Sequence, residues 1–311
     1  MAARSAPRIA ALLLLLVGGL AGFAPRATAD TGCLGQIPLY AVDSQSGHLL
    51  EVDYCHIQGR FLPAEVEVAA GDWRQYRDVF AVSQGAATVI YATTYDGELW
   101  WRRQDAAGAQ LGVPVRIGAA IDWSQYRSLV APQPGYIHGM QPDPAAGRSV
   151  VRTFRHPDWA SGGVTVSEDQ PPLMLFGGPW ITSVRWGSFA ETNSATYHLR
   201  IWRQDPAHLD AVAWRSGYLP PGVTGVVGAE PALYGLNGGG HVVRLEQTIK
   251  GYLCDRVQDV AWHVTAESGG SYTRVIVPVR LPFGGTTPSV AVDPGDDLPD
   301  CPRDDTPWEW Q

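Results

Sequence analysis

The chain has 311 residues, 45% of them hydrophobic and 17% charged, with 23 basic against 31 acidic side chains and a formal net charge of −8. That length supports one large core or two ordinary domains. The acidic balance argues against a surface built to hold nucleic acid or an anionic membrane.

Residues 1–29 read as a secretory signal peptide. Arg4 and Arg8 form a basic start, Ile9 to Ala24 is an apolar run built around consecutive leucines, and Ala27-Thr28-Ala29 is a small-x-small cleavage site ahead of Asp30. The apolar run is short for a membrane span, and no later stretch is long and apolar enough to be one, so a secreted protein without a membrane anchor is expected. Cleavage after Ala29 leaves 20 basic and 31 acidic residues, a net charge of −11. The four cysteines, Cys33, Cys55, Cys254 and Cys301, suit two disulfides in an exported chain. Of three possible pairings, Cys33–Cys55 and Cys254–Cys301 close the shorter loops; the rival joins the N-terminal cysteines to the C-terminal ones. Widely spread cysteines without a Cys-x-x-Cys give no zinc site.

From residue 36 onward the pattern is β. Short apolar runs are bounded by Gly, Pro, Asp and Asn, and no long stretch carries a 3.6-residue period. "IPLYAVDSQSGHLLEVDY" reads as strand, turn, strand, and "TVIYATTYDGELWWRR" does the same with Asp96-Gly97 at its turn. "GYIHGMQPDPAAGRSVVRTFR" is a third hairpin with a longer loop, "ATYHLRIWRQD" another with its turn displaced, and "ALYGLNGGGHVVRLEQ" a fifth. In the first two units a further strand follows ("EVEVAA", "PVRIGAA"), and then one phrase occurs twice: Asp-Trp-x-Gln-Tyr-Arg, with tryptophans at Trp73 and Trp123, 50 residues apart. Tyr40 and Tyr91, early in the two hairpins, are 51 apart and keep the same step. Trp180 and Trp186 mark a third boundary, and "LPPGVTGVVGA" stands in for the phrase at a fourth.

A period near 50 residues with about four strands per unit is that of β-propeller blades. The expected fold is all-β: a single five-bladed β-propeller over 36–290, with six blades as the alternative, followed by an acidic, Pro-rich tail at 291–311. Trp73 and Trp123 are then wedges between blades, because each blade buries its faces against its neighbours.

Ile117-Gly118, Trp123, Tyr126, Leu129-Val130 and Tyr136-Ile137, in that order, and Trp73, Tyr76, Val79-Phe80 and Ile90-Tyr91 before them, resemble the repeat of tachylectin-type propeller lectins. The resemblance covers about 36–140 and fades after 150. It implies five blades and binding of amino sugars such as N-acetylglucosamine, one pocket per blade. This chain departs from the family in its diverged repeats and in placing Asp72 and Asp122 where the family has a small residue. Carbohydrate recognition needs an aromatic face for the apolar side of a pyranose and carboxylate, amide or backbone groups for its hydroxyls. Asp72, Trp73, Tyr76, Asp122, Trp123 and Tyr126 supply those types, and the expected partner is a glycan or cell-wall polysaccharide bound by a monomer. The alternatives are a propeller that binds only protein, and a propeller glycosidase, for which Asp43, Asp96, Glu98 and Asp122 are the candidate carboxylates. Most of these sit in turns, where Asp is common for local reasons. Asp293, Asp296, Asp297 and Asp300 in the tail lack EF-hand spacing. No nucleophile elbow, zincin helix or phosphate loop is present, so neither a cofactor nor a metal is expected.

Overall fold

The computed structural model describes residues 33, 35–143, 148–169, 173–176, 181–185, 188–193, 198–204, 211–229, 232–252 and 258–280. These carry twenty-two strands and two short 3₁₀ turns. The leader, the 281–311 segment, Trp180, Trp186, Cys254 and Cys301 lie outside the described residues.

In chain order the strands are β1 (Gln36–Asp43), β2 (Leu49–Cys55), β3 (Arg60–Ala69), β4 (Asp78–Gln84), β5 (Ala87–Thr93), β6 (Leu99–Gln104), β7 (Val115–Ile117), β8 (Ser128–Gln133), β9 (Tyr136–Asp143), β10 (Arg148–Arg155) and β11 (Ser167–Glu168). They continue with β12 (Leu173–Phe176), β13 (Ile181–Arg185), β14 (Ser188–Asn193), β15 (His198–Gln204), β16 (Ala211–Tyr218), β17 (Thr224–Ala229), β18 (Ala232–Leu236), β19 (Val242–Tyr252), β20 (Gln258–Glu267), β21 (Tyr272–Ile276) and β22 (Val279–Arg280). Four of the five hairpins read from sequence coincide with β1–β2, β5–β6, β9–β10 and β18–β19; the remaining one, ATYHLRIWRQD, instead carries the single strand β15, which pairs with β14 and β16.

The strands form four sheets in a propeller arrangement. The first has the order β21-β1-β2-β3, so a C-terminal strand completes an N-terminal sheet and closes the ring. The second runs β4-β5-β6-β7, with β22 added parallel to β4. The third is β8-β9-β10-β11, with β12 also on β10. The fourth has eight strands: two antiparallel meanders, β13 to β16 and β17 to β20, joined where Arg215 and Ser216 pair in parallel with Gln258 and Asp259. The strands β4, β8, β13, β17 and β21 touch one another in cyclic succession, β21 meeting β4 again.

The core lies between sheets. Trp73 packs with Tyr40, Val42, Leu49 and Val68 of the first sheet and with Ala81, Ile90 and Ala92 of the second. Trp123 holds the same place between the second and third sheets, among Val89, Leu99, Ile117, Leu129, Ile137 and Phe154. At the closing seam Leu39, Val52, Tyr54 and Phe61 meet Tyr234, Leu236, Tyr272 and Val275. The first two of these interfaces repeat one kind of packing, a tryptophan between two sheets, which is why the sequence repeats one kind of phrase.

The disulfide Cys33–Cys55 joins the segment before β1 to the end of β2, with an S–S distance of 2.08 Å. It is the first of the two pairings expected from loop length; the second involves residues outside those described.

Candidate functional site

The repeated phrase folds into a short 3₁₀ turn, Trp73–Gln75 in one unit and Trp123–Gln125 in the next. Asp72 and Asp122 are the N-caps. Asp72 Oδ1 accepts from the Arg74 amide at 3.1 Å, and Asp122 Oδ1 from the Ser124 amide at 3.0 Å. The side chains after the tryptophans reinforce the caps: Arg74 Nε donates to Asp72 at 2.7 Å, and Ser124 Oγ to Asp122 at 2.5 Å. These contacts hold both carboxyls below the ordinary carboxylate range, through the Arg74 side chain and the Ser124 hydroxyl first and the backbone amides after them.

Each 3₁₀ turn is docked on the hairpin turn of the sheet before it. The Trp73 amide donates to the Gly47 carbonyl (2.8 Å) and the Trp123 amide to the Gly97 carbonyl (3.4 Å). Both glycines have positive φ, +75° and +84°, and a Cβ on either would stand 2.5 or 2.7 Å from the capping Oδ1. Glycine is thus required twice over, by backbone conformation and by the approach of the cap. The hairpin turns are themselves held by a polar side chain at their first residue. Asp43 Oδ1 accepts from the Gln45 and Ser46 amides, Thr94 Oγ1 from the Glu98 amide, and Asn237 Oδ1 from the Gly239 and His241 amides.

A third copy of this junction escaped the sequence reading. The Tyr272 amide donates to the Gly240 carbonyl at 2.7 Å, and Ser271 Oγ lies beside the same turn, donating to the Gly239 carbonyl at 3.3 Å. Ser271-Tyr272 occupies the place of Asp72-Trp73 with neither of its residue types. The signal available was an aromatic followed two residues later by Arg274 and an apolar strand. It was masked because β19 and β20 run to 11 and 10 residues and stretch the spacing.

Arginines at the ends of the phrases link one junction to the next. Arg274 donates to the Tyr76 and Arg77 carbonyls at 2.9 and 3.1 Å. Arg77 in turn donates to the Trp123 and Ser124 carbonyls at 2.9 and 3.1 Å and pairs with Asp78 at 2.8 Å. Burial pushes the Asp78 carboxyl up, opposed first by Arg77 and then by Arg274, and pushes the Arg274 guanidinium down, opposed by Asp78.

The sequence-predicted residues therefore divide. Asp72 and Asp122 are exposed on one rim of the ring, together with Arg74, Gln75, Ser124 and Gln125. Trp73 and Trp123, at 3% and 0% exposure, lie beneath, and Tyr126 is buried with them; Tyr76 is half-buried. Trp73 sits 5.2 Å from Tyr76 and Trp123 5.9 Å from Tyr126, ring to ring. The two indoles thus build the floor of the rim and present no open face to solvent. Trp101 is also enclosed: its Nε1 donates to the Trp159 carbonyl at 2.7 Å, under the 156–166 loop. Three of the four candidate glycosidase carboxylates have local partners, Asp43 in its turn, Glu98 with Arg116 at 2.9 Å, and Asp122 at its cap, and Asp96 stands in the β5–β6 turn.

A cleft of about 530 Å³ opens at the closing seam, lined by Val52 and Arg60 to Pro63 with Glu65 on one side and by Glu267 to Gly270 on the other. Among the described residues no group of three or more His, Cys, Asp or Glu is arranged to hold a metal ion.

No protein-family model and no curated protein matches the sequence. Similar solved structures include AofleA from Arthrobotrys oligospora, at 11% identity over 76% of this chain and 84% of that one, with a TM-score of 0.34. A luciferin-regenerating enzyme matches at 11% identity over 79% and 95%, TM-score 0.34. A candidate 6-phosphogluconolactonase from Bacteroides uniformis matches at 12% identity over 75% and 68%, TM-score 0.35. These values carry no inference about ligand or chemistry, and the propeller assignment rests on the sheet topology.

Proposed function

We propose that the protein is a secreted, monomeric, tachylectin-like propeller of five blades that binds carbohydrate on polymeric glycans, with N-acetylated amino sugars as the ligand. The five-blade reading is supported by the cyclic succession of β4, β8, β13, β17 and β21, and by the two meanders within the eight-stranded sheet, each of blade size.

One observation carries the carbohydrate reading. Asp72-Arg74-Gln75 and Asp122-Ser124-Gln125 are exposed polar groups at equivalent junctions of successive units, on one rim, each pre-positioned over a buried indole. Carboxylate, guanidinium, hydroxyl and amide in fixed geometry suit the vicinal hydroxyls and acetamido group of a sugar. Two sites facing the same way turn weak single contacts into avidity on a polymer. Because the indoles are enclosed, the rim contributes hydrogen bonds, and within the Asp72–Tyr76 phrase the half-buried Tyr76 is the more exposed of the two aromatics.

A glycan array probed with the intact protein and competed with free N-acetylglucosamine tests the reading. Competed binding to amino-sugar polymers is the expected outcome, and array-wide absence of binding overturns it.

A further inference from the structure

After β10 the chain leaves the third sheet and lies as a strap, residues 156–166, against β6 and β7 of the second. Four donors of the second unit hold it there. The Tyr91 hydroxyl donates to His156 Nδ1 at 3.0 Å, Trp101 Nε1 to the Trp159 carbonyl at 2.7 Å, Arg103 Nη1 to the Ala160 carbonyl at 2.6 Å, and the Gly118 amide to the Val164 carbonyl at 2.9 Å. The strap lies flat on the Trp101 indole: Gly162 has a φ of +77°, and a Cβ there would stand 2.8 Å from the ring.

Three of the four acceptors are carbonyls, which acid leaves unchanged. The fourth is an imidazole nitrogen, which acid turns into a donor. His156 is fully buried, and its Nε2 donates to the Gly163 carbonyl at 2.6 Å, so Nδ1 is free to accept in the neutral ring. A proton on Nδ1 takes away the acceptor of the Tyr91 hydroxyl, which is buried as well. The surroundings offer the cation little. Burial disfavours it first; the Gly163 carbonyl and the more distant Asp158 carboxylate, both on the strap, oppose that less strongly. Tyr91 on β5 stays a neutral phenol because burial pushes its ionisation up. The β8–β9 turn contributes the Gly135 carbonyl, which accepts from the His156 amide at 2.8 Å.

From this arrangement we infer that residues 156–166 are an acid-released strap, latched by neutral His156 and opening ahead of the sheets to uncover Trp101. It opens first because it has turns in place of strand pairing and most of its residues are exposed, Val164 among them. Acid drives the opening because the released ring meets water and titrates near pH 6.5, while the closed strap holds it neutral. The open form thus binds a proton that the closed form does not: the latch is complete above pH 6.5 and loosens as the pH falls below it. His138, the other buried histidine of this unit, sits within β9 and bonds to Thr153, so its protonation is tied to the third sheet instead. The inference does not rest on the carbohydrate reading.

The test is hydrogen exchange of the full-length protein, followed by NMR at pH 7 and pH 5. The reporters are the Gly118 amide and the Trp101 indole, each donated to a strap carbonyl, and amides of β1 and β9 are the reference. After correction for intrinsic rates, exchange at both reporters should rise by up to about twentyfold, the factor by which one histidine titrating near pH 6.5 favours the open form over that interval. The reference amides should keep their protection. His156→Gln, which carries no charge at either pH, should abolish the rise. Tyr91→Phe removes the latch partner and keeps the imidazole, so its reporters should exchange faster than the parent's already at pH 7, with β9 still protected. Reporters that stay protected at pH 5, reporters and reference that lose protection together, a rise that survives His156→Gln, or parent-like exchange in Tyr91→Phe would each overturn the inference.

Discussion

Arg77 donates to the carbonyl of Trp123, 2.9 Å away and 46 residues later in the chain. It closes the first copy of the repeated phrase and, in the same act, satisfies the 3₁₀ turn of the second. Helical turns leave their last carbonyls without partners, and a guanidinium fork supplies two donors at once. The same arginine pairs with Asp78, whose side chain is 19% exposed. Replacing Arg77 with Ala should therefore strand a desolvated carboxylate and the Ser124 carbonyl, while the Trp123 carbonyl keeps the Tyr126 amide at 3.3 Å. The expected cost is about 3 kcal/mol, read from urea unfolding, and Arg77→Lys should recover only part of it. A loss below about 0.5 kcal/mol would mean that the units are not coupled through this residue.

The tryptophans and the aspartates beside them should separate cleanly. Trp123→Ala removes a fully buried ring from the interface of two sheets and should cost roughly 3–5 kcal/mol. Asp122→Ala removes a cap and should cost about 1 kcal/mol. The capping bonds make Asn, which also caps, the right probe of the aspartates' charge.

Gly97 is the point where cap and hairpin meet. Gly97→Ala introduces a methyl 2.7 Å from Asp122 Oδ1 at a φ of +84°. Strain and clash together should lower stability by about 1–3 kcal/mol, measurable by thermal unfolding. Gly85, at φ +62° with open space around it, should tolerate Ala with a smaller loss.

Two buried histidines set an acid limit. Burial pushes His138 down to about 4, and His156 is lowered for the same reason. His156 Nε2 faces the Gly163 carbonyl at 2.6 Å, which can only accept, so Nε2 carries the proton and Nδ1 accepts from the Tyr91 hydroxyl at 3.0 Å. Both rings favour the neutral form in the fold, while the unfolded chain protonates them near pH 6.5. Their contribution is complete above that pH. It declines as the pH falls from 6.5 toward the folded value, by about 3 kcal/mol for His138. Unfolding measured between pH 7 and 4 should show this slope, and His138→Gln should flatten part of it.

Reduction of Cys33–Cys55, which spans 22 positions, should destabilise the protein by about 3 kcal/mol. The effect should appear as a lower melting temperature in the presence of a thiol reductant.

Much of the fold was legible because it repeats. Tyr40 and Tyr91, Trp73 and Trp123 keep step, so the hairpins and their wedges could be placed from spacing alone. The closing junction at Ser271-Tyr272 was not legible, since hydrogen bonds to the Gly240 turn are made by backbone amides that any residue can supply. The arginine links were hidden for a related reason: Arg77 and Arg274 act on carbonyls, which leave no sequence pattern on the accepting side. Nor could residue type reveal that Trp73 and Trp123 lie under the rim rather than on it, because a binding platform and a packing wedge call for the same indole. The seam cleft joins residues about 200 positions apart and belongs wholly to the folded state.

The most direct measurement is retention of the full-length protein on a column of polymeric N-acetylglucosamine, compared with the Asp72→Asn, Asp122→Asn double variant. Retention of the parent, elution by free N-acetylglucosamine, and loss of retention in the double variant at unchanged melting temperature are the predicted results. A parent that flows through, or a double variant retained as well as the parent, would contradict the proposal and leave the repeated phrase as a device of the fold alone.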